Sequence, residues 1–152
     1  MSLRTLATLL TSSLVAVACG GPSKADQFFL ESVQKDLGEI KAALKSGDDA
    51  SLKCVAGKTY GEKLKNAPIA EAEGLVKELT ALCDLDVPLA KLEKAVTEAE
   101  TARKAKPDEA VLSECFNAHQ KMALEALGKS NQLEHEKVKA AVARWDAACP
   151  KK

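Results

Sequence analysis

The stretch ADQFFLESVQKDLGEIKAALK, residues 25–45, decides the fold class. Phe29, Val33, Leu37, Ile40 and Leu44 recur every three or four residues, so all five fall on one face of an α-helix. Ser46-Gly47-Asp48 then ends that helix and caps the next.

Working outward, five more helices are expected. The second helix is expected over residues 50–65, with Leu52, Val55, Ala56 and Leu64 inward. Asn66-Ala67-Pro68 makes a turn, and a third helix follows over residues 68–83, burying Ile69, Ala72, Val76, Leu79 and Leu82. Asp86 and Pro88 read as a fresh helix start, with Pro88 in the first turn. That fourth helix reaches about Lys104 and buries Leu89, Leu92, Val96 and Ala99. Lys106-Pro107-Asp108 opens a fifth that ends at Gly128, and a sixth runs over residues 132–149 with Val138, Ala141, Val142, Trp145 and Ala148 inward. Ala, Leu, Lys and Glu dominate throughout, all strong helix formers, and no β-branched run reads as a strand. The expected fold is all-α: an antiparallel bundle of five to six helices in one domain, residues 25–152. Val76, Leu79, Ala81 and Cys83 match Val142, Trp145, Ala147 and Cys149 in spacing. This is what a duplicated three-helix unit would give, and also what two unrelated amphipathic helices share.

The first 18 residues have a different layout. One positive charge, Arg4, precedes an apolar or small stretch from Leu6 to Ala18 without charge. It is shorter than the roughly 20 apolar residues a bilayer core demands, and it suits the apolar region of an export signal. Ala16-Val17-Ala18-Cys19-Gly20 resembles the lipobox of bacterial lipoproteins. The resemblance implies a diacylglycerol on the Cys19 thiol, cleavage between Ala18 and Cys19, and fatty acylation, such as palmitate, of the new amino terminus. Residues 19–24 would then be a lipidated tether. The family usually has leucine where this chain has Ala16, and Ala-x-Ala also suits an ordinary signal peptidase, which would leave a soluble secreted protein with a free thiol. Gly20, in place of an aspartate, resembles the outer-membrane class of such lipoproteins, facing the periplasm.

Cysteine parity bears on the same choice. The five cysteines are Cys19, Cys54, Cys83, Cys115 and Cys149, and an exported chain usually pairs its cysteines. A lipidated Cys19 leaves an even set. Short loops make successive helices antiparallel, so height along the bundle follows at about 1.5 Å per residue. With the start of the first helix as the bottom, Cys54 and Cys83 come at the top, Cys115 and Cys149 in the lower half. The other pairings would join cysteines too far apart. The expected disulfides are therefore Cys54–Cys83 and Cys115–Cys149; the alternative is free thiols, if the chain is not exported.

Candidate chemistry is sparse. Gly57-Lys58-Thr59 ends like a phosphate-binding loop, but the earlier glycine that the motif needs is Leu52, and no strand precedes it. Gly57 and Gly61, four apart, either admit a close helix approach or weaken and bend the second helix. Cys115 and His119 stand four apart on the expected fifth helix and would share a face, but an oxidised Cys115 cannot ligate a metal. His135 lies among Glu134 and Glu136. A nucleophile needs a base held by a third group, and two histidines in polar surroundings offer no such set. No Cys-x-x-Cys occurs. Basic and acidic residues balance at 22 each, so no basic face for nucleic acid is expected. No cofactor or metal site is expected either. The sequence leads to a non-enzymatic, membrane-anchored envelope lipoprotein that binds or scaffolds an envelope protein partner. The alternative is a binder of a small apolar ligand or lipid held between helices by Phe29, Leu37, Phe116 and Met122.

Overall fold

The computed structural model describes residues 21–109 and 112–150. The expected export signal, with the cleavage site expected at Ala18 and acylation expected at Cys19, lies outside those residues. Helix α1 spans Lys24–Ser46. Its start is closed by a capping box: the Ser23 hydroxyl accepts from the Asp26 N–H at 3.1 Å, and the Asp26 carboxylate accepts from the Ser23 N–H at 3.0 Å. Its end is set by Gly47, whose φ of 77° is left-handed and favours glycine. Val33, Leu37 and Ile40 are buried on the expected face.

Helix α2, Ser51–Leu64, returns along α1. Its buried face is Cys54, Gly57, Gly61 and Leu64. This corrects the expected face: Leu52 and Val55 are 84% and 66% exposed. The two glycines decide the rotation. A Cβ on Gly57 would stand 3.1 Å from both methyls of Leu79, and one on Gly61 would stand 3.5 Å from those of Val76. Backbone packs where a side chain would otherwise hold the helices apart, so close approach is the role these glycines play.

Helices α3, Ala72–Ala81, and α4, Val87–Ala105, were expected to be separated by a turn. They are one rod instead, joined through a single π-helical turn, Leu82–Asp86, in which the Val87 N–H reaches back to the Leu82 carbonyl. The cause is Pro88. Proline has no N–H and its ring crowds the carbonyl four residues earlier, which is that of Asp84. The π turn relieves the crowding without reversing the chain. The freed Asp84 carbonyl accepts the Ser130 hydroxyl at 2.8 Å. At about 1.5 Å per residue the rod is roughly 50 Å long.

Two lobes hang on this rod. The first packs Val33, Ile40, Leu64 and Leu79 from α1, α2 and α3. The second packs Leu92, Val96, Leu127, Val138 and Trp145 from α4, α5 (Ala118–Lys129) and α6 (Glu136–Ala148). Between α4 and α5 the described residues make a short 3₁₀ turn, Ser113–Phe116, where a longer fifth helix is expected from the sequence. Both expected disulfides are present, Cys54–Cys83 and Cys115–Cys149, each with Cα atoms 5.5 Å apart. Each lobe thus has three helices and one staple, tying the start of its middle segment to a residue one or two positions past the end of its last helix. The heights need correction for the second pair. Because α4 runs on in the direction of α3, the second lobe is carried along the rod. Cys149 lies near its far end, where the Arg103 guanidinium donates to the Ala148 carbonyl at 3.0 Å.

Candidate functional site

A cleft of about 570 Å³ opens where the α1–α2 turn meets α4 and the start of α5. Leu44, Ala50, Val87, Ala90 and Ala95 make its apolar walls; Asp48, Asp49, Lys91, Lys94, Glu98, Asn117 and His119 supply its polar rim. The turn is placed by Gly47 and by the Asp49 carboxylate, which accepts from the Ser51 N–H at 2.9 Å. The α5 edge is placed by Asn117, whose side-chain oxygen caps the helix by accepting from the His119 N–H at 2.8 Å.

The rim is largely satisfied internally. Lys91 pairs with Asp49 at 2.9 Å, and the Asn117 amide donates to Glu98 at 3.1 Å. Burial alone would raise the Asp49 carboxyl, but the Lys91 ammonium and the Ser51 backbone and hydroxyl outweigh it and hold the pKa down at about 2. The cleft can enclose a small amphipathic molecule, its apolar part against the alanines and its polar part towards Lys94 and His119. It holds no nucleophile with a base positioned by a third group.

The other singled-out residues are scattered. Gly57, Lys58 and Thr59 sit inside α2, where Lys58 pairs with Asp84 and the Thr59 hydroxyl donates to the Val55 carbonyl at 2.9 Å. A helix interior cannot wrap a phosphate as a glycine loop does. Cys115 is oxidised and precedes α5, so it shares no helix face with His119. His135 is the N-cap of α6, its Nδ1 accepting from the Lys137 N–H at 3.3 Å. Among the described residues no three His, Cys, Asp or Glu side chains converge on a metal position. The four residues expected to line a common cavity are divided: Phe29 and Leu37 belong to the first lobe, while Phe116 and Met122 are exposed on the second.

Two features were missed in the sequence. One is the cleft itself, which arises from a joint between lobes. The other is Asp36, only 6% exposed among the apolar residues of the first lobe, with Oδ2 lacking a partner. Burial raises its pKa above the usual 3.8, Lys53 opposing and Glu39 adding. Its position on the α1 core face, one residue before Leu37, was the signal available. No described helix is long and apolar enough to cross a membrane. Compared with known proteins, the chain matches no protein family, no curated protein and no solved structure.

Proposed function

We propose that this chain is a lipid-anchored scaffold of the bacterial envelope, held by acyl chains on Cys19 at the outer membrane and presenting its two-lobed body to a protein partner. The observation that carries the reading is the outer face of α2. Leu52 and Val55 stand in solvent on a helix fixed from behind by two glycines and a disulfide. Exposed apolar side chains on a rigid support are what a protein interface offers, since little ordering entropy is lost on docking. Mass measurement of the protein from its host, combined with fractionation, tests the anchor: a chain beginning at Cys19 with added acyl mass in the outer-membrane fraction is expected. A photocrosslinker at Leu52 should then capture one stoichiometric partner, and Val55→Lys should abolish capture. A preparation that yields no partner would sink the scaffold role.

The cleft favours a second reading, a small amphipathic ligand, because its volume lies in the range of ligand sites. Native mass spectrometry returning only the bare chain mass would count against it.

A further inference from the structure

At the Cys19 end of the first lobe, Phe28, Phe29 and Tyr60 form an aromatic cluster. The Phe28 ring lies 5.6 Å from that of Phe29 and 6.2 Å from that of Tyr60, both edge-on. Phe29 and Tyr60 are half-buried against the core, but Phe28 is 57% exposed. Water is a poor environment for that ring, and among the described residues nothing covers its exposed side.

Its position names an occupant. Lys24, where α1 begins, is five positions after Cys19, a span of at most about 18 Å when fully extended. Phe28 is one turn further, roughly 6 Å along the axis. A lipid on Cys19 would therefore hold this ring within reach of the headgroup layer at all times. Aromatic rings with one buried and one free edge suit that layer. Charge at this end is balanced: Lys24, Lys63 and Lys65 stand against Asp26, Glu31 and Glu62, with Lys65 and Glu62 paired at 2.8 Å. Attraction to anionic lipid is not needed.

We infer that the Phe28–Phe29–Tyr60 cluster is a membrane-contact foot that seats the first lobe on a lipid surface. The contact is apolar, indifferent to headgroup charge, and orients the body so that the first turn of α2, bearing Leu52, points away from the bilayer. This inference rests on the lipid anchor proposed above, and it can fail separately. Cys19 is the one cysteine outside the two disulfides, so the unlipidated chain from Cys19 onward can be coupled through its thiol to maleimide-bearing phosphatidylcholine vesicles. Absence of acyl mass in the host protein would overturn the anchor; the tethered chain still reads the foot. Phe28→Trp and, as control, Leu52→Trp report by quenching with neutral acrylamide above the background of the buried Trp145.

On tethering, quenching at position 28 should fall about threefold or more as the ring enters the interface, with a blue-shifted emission, and quenching at position 52 should change little. Replacing a third of the lipid with phosphatidylglycerol, or raising salt, should leave both unchanged. Equal quenching at position 28 before and after tethering would overturn the inference. So would equal shielding at both positions, or shielding that needs anionic lipid and disappears in salt.

Discussion

The two lobes share a plan and reach it by different means. The first is a closed triangle in which α1, α2 and α3 all touch, with α2 brought in by Gly57 and Gly61. In the second, α5 and α6 each pack chiefly on α4. That lobe is held from outside by arginines: Arg144 bridges α6 to Glu93 and Glu100 on α4, at 2.6 and 2.8 Å, while Arg103 grips the end of α6 and the Glu109 carbonyl. One lobe depends on backbone proximity, the other on a central helix and its polar clamps. The comparison teaches that a staple is most needed where helices do not already support one another.

Removing the disulfides should expose this difference most strongly. Loops of this size lead to a loss of about 4 kcal/mol for either bridge. The double replacement of Cys115 and Cys149 by Ala should exceed that of Cys54 and Cys83 in urea unfolding, because α5 has less other support. Equal losses would break the comparison. Next comes the glycine seam. Gly57→Val must displace the fully buried Leu79 and should cost about 1–3 kcal/mol. Gly38→Ala, on the same lobe but with open space around it, should gain up to about 1 kcal/mol from helix propensity. If Gly57→Val is neutral, close approach is not what holds α2.

Smaller effects follow from the two aspartates. Asp36 has a raised pKa in the fold, so its protonated form is the better accommodated. Its contribution is fully present below the unfolded value near 3.8 and is lost as pH rises through the raised folded value. Asp36→Leu should therefore add about 1–2 kcal/mol at neutral pH and flatten the pH dependence above pH 4, measured by denaturation across pH. Asp49 runs the other way. Its pKa of about 2 contributes stability above pH 4 that fades as pH falls towards 2. Asp49 itself is 58% exposed, so the expected effect is the smallest. Carboxyl NMR titration should place Asp49 near 2, and Lys91→Met should return it towards 3.8; no movement would remove Lys91 as the cause.

Much of this fold was legible in the sequence. The period of residues 25–45 and the signals at Ser46-Gly47 located α1 within a residue at each end. The disulfide pairing was legible too, although for the second pair the heights behind it were not. What failed has identifiable reasons. Hydropathy cannot see glycine as a core residue, so Leu52 and Val55 drew the α2 face to the wrong side. Pro88 signals a helix start in local terms; the helix continues through it by the π turn, whose freed Asp84 carbonyl is satisfied by the Ser130 hydroxyl, 46 residues away in sequence. The cleft lies at the meeting of the α1–α2 turn with α4 and α5, and no single segment carries its pattern.

The placing of the staples also fixes how the molecule would bear a mechanical load. A pull between its two ends travels along α1 to Cys54, crosses at once to Cys83, follows the second half of the rod to Cys115 and crosses again to Cys149. Residues 55–82 and 116–148 lie in closed covalent loops and carry none of the tension. Of the described helices, α1, the first turn of α2, the π turn from Cys83 and α4 are in series with the force, so much of the chain adds nothing to the maximum extension. Most of α2, α3, α5 and α6 would stay off the load path however hard the ends were drawn apart.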